Sequence, residues 1–336
     1  MGADAAFSIE RPDGRTLWFF NDTIVAAPDQ VRSGSEKIES ERTTIANSVA
    51  VSHCEKEKDT FLIDYHWQIS SALKYEPIFQ PKHLSPKYSY WPSQPWFYHG
   101  YLFVPLRLIE RGRGDAGFRV VATHIARVIN PEADPTLWKI AYGILANYPE
   151  MSAGVGVVQD GDYIHLFNES SVGMVLSRVR PADALGSLHS LSEKVEYLYS
   201  DGSWHSEFSA ASVSRLPLKA TSGLSVRYLP NRKQWMALYA DFNVFPAAKV
   251  SVSFSDTLTS GWKKPMPLYE FPLSSTTSNS FNPSAFCFAA LEHLKFNPSP
   301  EKIAAFTFTC GDYGQISGSE DPSILYPQFV RVTLPG

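Results

Sequence analysis

Five turn clusters, each running into a strand rich in aromatic and β-branched residues, recur along this 336-residue chain and limit what it can fold into. They are Pro12-Asp13-Gly14 before Thr16 to Phe20, His99-Gly100 before Tyr101 to Val104, and Asp160-Gly161 before Tyr163 to Phe167. Pro230-Asn231 before Trp235 to Tyr239 and Asn297 to Pro300 before Ile303 to Phe306 complete the set. Each reads as a β-hairpin. Taking Asp13, His99, Gly161, Asn231 and Glu301 as markers, the spacings are 86, 62, 70 and 70 residues, too long for a hairpin and about right for a four-stranded unit. Further β-like stretches follow the hairpins: Ile45 to Ser52 and Phe61 to His66, Arg119 to Ile129, Met174 to Val179, Lys249 to Phe254, and Tyr326 to Leu334.

The expected fold is therefore all-β: a single five-bladed β-propeller over residues 1–336, with about four antiparallel strands per blade. A two-sheet sandwich is the alternative. Helical periodicity is poor; Ala182 to Tyr199 reads as a connector with at most a short helix, and Ser274 to Ser280 as a mobile loop between blades.

Composition narrows the function. A formal net charge of −4 with no basic stripe argues against nucleic acid, and the densest charge run, Glu36 to Arg42, mixes both signs and reads as a solvated loop. No apolar stretch is long enough to cross a membrane. Three cysteines exclude a multi-cysteine zinc motif, and His53, His66 and His99 have no ligand spacing, so no metal and no cofactor are expected. No serine nucleophile elbow occurs, and Gly154-Val155-Gly156 precedes no helix, which removes a dinucleotide reading. Cys287 and Cys310 stand symmetrically about the fifth turn and face each other as a disulfide or as two thiols; Cys54 is left over. Asn21-Asp22-Thr23 and Asn168-Glu169-Ser170 fit the glycosylation pattern, with Asn168 the expected acceptor if the protein is secreted. The start of the chain shows no leader, so secretion, with a leader removed, stays an expectation.

The chemistry comes from the first hairpin. Asp4 and Asp22 lie nine residues before and nine after Asp13, so folding about that turn sets them opposite one another. Directly opposed side chains have Cβ atoms about 4.5–5.5 Å apart, within the range of the carboxyl pairs of glycosidases. Two such acids cannot both ionise freely, so one should hold a proton while the other stays an anion.

These residues also carry a resemblance. Gly2-Ala3-Asp4, Leu17-Trp18-Phe19-Phe20 and Asn21-Asp22-Thr23 resemble the opening blade of a five-bladed propeller group first catalogued as a domain of unknown function. It includes endo-D-arabinanases, placed in glycoside hydrolase family 183. Asn47 to Ala50, Tyr90-Trp91-Pro92, Ser225 to Tyr228, Gly261-Trp262 and Tyr326 to Arg331 match in later blades, and the chain resembles a fungal branch. Two departures stand out: Asn21 where the family has Gly, and Glu292-His293-Leu294 in place of a His-Pro-Glu. The resemblance implies Asp4 and Asp22 as the catalytic pair of a glycosidase acting on a furanoside-containing, arabinan-like glycan. Glu207 is a candidate third acid, and Asn47, Trp91, Trp96, Trp204 and Tyr326 are substrate-binding candidates. A glycan or small-molecule ligand and a monomer are expected. Two other classes use the same scaffold: a non-hydrolytic enzyme of a natural-product pathway (dehydratase, cyclase or isomerase), and a carbohydrate-binding propeller without catalysis.

Overall fold

The computed structural model describes residues 2–25, 43–55, 60–113, 117–242, 247, 249–276, 278–282, 285–312 and 326–336; the charge run Glu36 to Arg42 lies outside them. The chain is all-β; among the described residues five antiparallel sheets follow one another along the sequence, with two small ones beside them, Gly2–Ala3 with Thr23–Val25 and Thr43–Ile45, and Gln68–Ile69 with Tyr75–Glu76. The first contains Phe7–Glu10, Thr16–Phe20, Ser48–Glu55 and Thr60–His66 in spatial order. In the second, Tyr88–Pro92 and Trp96–Tyr98 share one edge, followed by Tyr101–Arg111, Phe118–Val128 and Ile140–Ala146. The third is built on Ser152–Asp160, Tyr163–Ser170 and Gly173–Val179, with Glu196–Leu198, Trp204–His205 and Arg215–Leu216 as short outer strands. Ser225–Leu229, Gln234–Ala240, Lys249–Ser255 and Met266–Glu270 make the fourth. The fifth has three described strands, Ala285–Glu292, Ile303–Asp312 and Gln328–Thr333.

Turn chemistry and burial explain these elements. His99 and Gly100, both at positive φ (47° and 80°), close a two-residue loop between paired Tyr98 and Tyr101, the conformation that matches the twist of a hairpin. The strands after the marked turns are buried on both faces: every residue of Thr16–Phe20 is buried, as are Leu102 to Glu110, mostly apolar apart from Thr16, Arg107 and Glu110. Such continuous runs are what a strand needs when its sheet is covered on both sides. The outermost Gln328–Thr333 is largely exposed. Apolar layers fill the spaces between sheets: Phe7, Leu17 and Val49 meet Tyr90, Leu106 and Leu108, and Met236, Leu238 and Val252 meet Phe306 and Phe308.

The leading strands of the five sheets form a cycle of hydrogen bonds. Gln94 Nε2 donates to Ser8 O at 3.2 Å, and its backbone N–H to Gly154 O at 3.2 Å. Leu224 N–H donates to Val155 O at 3.0 Å, and Glu292 N–H to Ser225 Oγ at 2.8 Å. His293 Nδ1 then lies 2.7 Å from Ser8 Oγ, which returns the cycle to the first sheet. Gly156 sits where this contact is tightest: a Cβ there would come within 2.7 Å of Leu224 O. The Gly154-Val155-Gly156 run therefore serves close strand approach.

Glu292 and His293 are seam residues. Arg227 Nε and Nη2 donate to the two Glu292 carboxylate oxygens at 2.7 and 3.0 Å, and His293 Nε2 lies 2.8 Å from Thr307 Oγ1. Burial holds the His293 imidazole down at about 3, so it is neutral in the folded protein.

Between the third and fourth strands of the third sheet, the connector expected over Ala182 to Tyr199 carries a short helix, Pro181–Leu185, and a 3₁₀ turn, Leu188–Lys194. The Ser274 to Ser280 stretch differs from the mobile loop expected: Ser274 and Ser275 are buried, and Ser274 Oγ lies 3.4 Å from Cys287 Sγ. Cys287 and Cys310 are register partners joined by a disulfide, while Cys54 is free and exposed. With the bonded cysteines 23 positions apart, chain-entropy arguments give about 3 kcal/mol of stabilisation. A Cys287→Ala/Cys310→Ala variant is expected to lose about that much in urea unfolding; an unchanged midpoint would show the bond to be energetically idle.

Candidate functional site

Asp4 and Asp22 stand opposite one another across the first hairpin. Gly2–Ala3 pairs with Thr23–Val25, and Phe7–Glu10 with Thr16–Phe20, in a register centred on the Asp13 turn on both sides. Between the two ladders the Asp4 N–H donates to Asp22 O at 3.0 Å, and Asp4 O accepts from Asn21 N–H at 2.9 Å. The small side chains of Ala3, Ala5 and Ala6 are all buried. Ala5 lies at φ 53°, in the left-handed region that non-glycine residues rarely enter, directly beside Asp4. Strain of this kind at a carboxylate is a feature of functional sites.

The two carboxyls have different surroundings. Asp4 Oδ1 is sealed from solvent with no hydrogen-bond partner among the described residues. Burial, and then the nearby Asp22 charge, raise Asp4 to about 7, against the opposing influence of Arg107, Asn21 and Arg111. Asp22, 28% exposed at its side chain, is held by donors: Trp91 Nε1 at 3.0 Å and the Arg111 guanidinium, which reaches both of its oxygens. One acid is thus pushed by burial to keep a proton near neutral pH, while its neighbour is engaged by donors on both oxygens.

The pKa of Asp4 fixes the sign of its effect on stability. Its folded value, about 7, lies above the unfolded 3.8, so the folded state binds the extra proton between those values and stability falls as pH rises through that window. Asp4→Asn is expected to be more stable than the wild type at pH 8, by about 4 kcal/mol, with the gain shrinking toward pH 4.5. Thermal unfolding at the two pH values measures this; equal gains at both would contradict it.

Trp91 is a wedge between charges. Its ring packs edge-on against Phe118, centroids 4.6 Å apart, with the Arg107 and Arg111 guanidinium carbons 5.6 and 5.7 Å from its centroid. Its described contacts are thus with Asp22 and the protein rather than an open face for stacking on a sugar.

The acid that shares the Arg107 charge with the pair is Glu169, from the third sheet, whereas Glu207 lies on an exposed loop. Glu207 is exposed, and its backbone carbonyl accepts from Tyr199 OH at 3.0 Å. Glu169 closes the second strand of its sheet, opposite Ser152, and its Oε2 accepts from Ser222 N–H at 3.3 Å. Burial raises its pKa, and Arg107 pulls it down. Arg107 is electrostatically coupled to Glu169, Asp4 and Asp22 together, which assembles a cluster from the first three sheets. In each of the five sheets the strand after the marked turn has a charged residue near its far end: Asp22 two past Phe20, Arg111 and Asp312 at the last position, Glu169 at the last but one, and Asp241 directly after Ala240.

The remaining candidates have structural surroundings. Asn47 is fully buried, donating through Nδ2 to Phe79 O and Tyr90 O and accepting Phe79 N–H, all at 2.9 Å, which stitches the first sheet to the second. Trp96 is buried and stacked on Phe103 in the layer between the second and third sheets. Trp204 lies on an outer strand with the Arg178 guanidinium 4.1 Å from its ring centroid. Tyr326 is exposed, and after burial it contributes to raising the Tyr65 phenol. Asn168 is 0% exposed, with Nδ2 donating to Ser177 Oγ at 2.8 Å and Oδ1 accepting Gly154 N–H at 3.1 Å, so it is closed to glycosylation in the folded chain. Asn21 is buried as well. Among the described residues no group of three His, Cys, Asp or Glu side chains is placed to hold a metal ion.

The family described as Domain of unknown function (DUF5005) matches residues 1–294, a span that contains Asp4, Asp22, Arg107 and Glu169. The chain belongs to this DUF5005 family. No curated protein is similar enough in sequence to count as a match. Among solved structures, a Bacteroides ovatus protein provisionally assigned as a hydrolase has TM-score 0.74 at 16% identity, over 99% of this chain and 85% of its own. The exo-β-1,3-galactanase of Phanerochaete chrysosporium, solved with β-1,3-galactotriose, has TM-score 0.53 at 11% identity; this chain aligns over its whole length but spans only 61% of the galactanase. An α-L-arabinofuranosidase of Clostridium thermocellum has TM-score 0.50 at 13% identity, over 90% of this chain and 81% of its own. At these identities the likeness shows a shared fold, and two of these three neighbours are glycoside hydrolases.

Proposed function

We propose that this DUF5005 chain is a single-domain, five-bladed β-propeller glycoside hydrolase that cleaves a furanoside-containing, arabinan-like glycan through Asp4 and Asp22. The observation that carries the reading is the asymmetry of the pair: Asp4 is raised to about 7 by burial and by its neighbour, while Asp22 is held by Arg111 and Trp91. In this reading Asp4 is the acid that protonates the leaving oxygen and Asp22 the base or nucleophile, with Glu169 and Arg107 completing the site. The cycle of contacts through all five sheets supports the propeller, and the galactanase and arabinofuranosidase neighbours support glycan cleavage.

The finer assignment, to the endo-D-arabinanases and a fungal branch, rests on the opening motif Gly2-Ala3-Asp4 with Asn21-Asp22-Thr23. A secreted monomer is part of the same proposal, and the Cys287–Cys310 disulfide supports an oxidising compartment. No helix is long and apolar enough to cross a membrane. The charged side chains of the site suit a hydroxyl-rich substrate better than the apolar one a natural-product cyclase or dehydratase would take.

Incubation with arabinan, arabinogalactan, galactan and fructan, read as new reducing ends, tests the activity. Release from a furanoside polymer by the wild type and none by Asp22→Ala is the expected result. Release by both proteins alike, or by neither, would overturn the proposal.

A further inference from the structure

Among the described residues, Arg107 is a buried charge with donors that lack protein acceptors. It is 4% exposed, on the strand Tyr101–Arg111, and its Nε and Nη2 are both buried without hydrogen-bond partners among the described residues. A guanidinium taken out of water loses several kcal/mol of hydration, which an intact fold recovers only through partners. Trp91 offers a π face and the carboxyls of Asp4, Asp22 and Glu169 a field, yet the donors themselves point at no protein acceptor. Nε and Nη2 form one edge of the guanidinium, the edge that grips two acceptors side by side. Beside it, Asp4 Oδ1 is a buried acceptor without a donor. Unfilled donors and an unfilled acceptor in one cluster call for a group that can both accept and donate.

We propose that Arg107 is the residue that recognises the substrate's sugar ring, its Nε/Nη2 edge donating to two adjacent hydroxyl oxygens of a neutral ring while one of these hydroxyls donates to Asp4 Oδ1. This rests on the glycosidase reading and adds to it the chemical class of the residue bound: an uncharged sugar with free vicinal hydroxyls. A uronate carboxylate would also fit the edge, but it would bring a further negative charge into a cluster that already holds three acids. Arg111 is not available for the same task, since Asp22 occupies it.

Arg107→Lys tests this, because lysine keeps the charge and loses the fork. With a neutral furanoside oligosaccharide, KM is expected to rise about 10–100-fold, as for losing hydrogen bonds to a charged donor, with a much smaller change in kcat. Calorimetric binding in an Asp22→Asn background should weaken by the same factor. An oligosaccharide O-methylated at the ring hydroxyls should cost the wild type a similar factor and cost Arg107→Lys nothing further. A merely structural Arg107 would show no such coupling. Unchanged KM in Arg107→Lys with turnover intact overturns this proposal and leaves the glycosidase reading standing; absence of turnover and binding in the wild type overturns both. Wild-type preference for a uronate-bearing oligosaccharide, lost in Arg107→Lys, would also overturn it in favour of carboxylate recognition. Should Arg107→Lys fail to fold by near-ultraviolet circular dichroism, the wild type decides alone: no loss on O-methylation refutes the assignment.

Discussion

Asp22→Asn is expected to lower turnover of the furanoside substrate about 10²–10⁴-fold, the range by which a positioned acid or base contributes to catalysis. The substitution keeps shape and removes the charge that Arg111 and Trp91 hold in place. Asp4→Asn should cost a comparable factor for the opposite reason, since the amide cannot give up the proton that burial retains at Asp4 up to about pH 7. The pH profile separates the two roles. Wild-type kcat/KM should fall on the alkaline side of about pH 7 as Asp4 ionises, and the residual activity of Asp4→Asn should lack that limb. Because the acids act as a unit, the double variant should be little worse than the poorer single one. An Asp22→Asn enzyme with wild-type turnover would remove the catalytic assignment.

The second large effect concerns His293, the side chain that returns the ring of sheets to its start. Its folded value of about 3 lies below the unfolded 6.5. Above pH 6.5 both states are neutral there and no stability depends on it. Below 6.5 the unfolded chain takes up a proton that the folded chain refuses, so stability falls with pH down to about 3, by about 1.4 kcal/mol per unit. His165, held by burial at about 4, acts in the same direction, and Asp4 acts against both. The clean measurement is therefore a difference. Between pH 7 and 4.5 the wild type should lose about 2.5 kcal/mol more than His293→Gln in urea unfolding. A constant difference across that range would show that the seam does not exclude the proton.

What could be read from the sequence was whatever local geometry decides. The turn at Asp13 sets the register of its hairpin, and register alone brings Asp4 opposite Asp22. The same reasoning about the fifth turn paired Cys287 with Cys310. Tryptophans read less well, because an aromatic in a β-rich chain has the same composition signal whether it packs between sheets, as Trp96 does, or wedges two arginines, as Trp91 does. The surroundings of Asn47 were illegible for a related reason: its amide is satisfied by Phe79 and Tyr90, residues no local pattern connects to it. Glu169 stands inside a glycosylation pattern whose asparagine the fold buries, and its nearness to Arg107 arises only when the second and third sheets come together. Site membership is a property of the assembled ring, while pairing is a property of one hairpin.

The five sheets named above have one further property in common: none borrows a strand from the far end of the chain, and only the first is interleaved with another sheet, the small one of Gly2–Ala3, Thr23–Val25 and Thr43–Ile45. Chain synthesis can then complete the sheets one after another, each closing loops of modest length, before the next has emerged. The strands of the fifth sheet, from Ala285 to Thr333, arrive last. Only then can His293 find Ser8, some 285 residues upstream. The Asp4 pair is made at the outset, but its Arg107 and Glu169 partners come from later sheets, so the cluster reaches its final electrostatic state only as the circle is drawn together. A nascent or broken ring would carry the two aspartates in their hairpin and lack the environment that tells them apart.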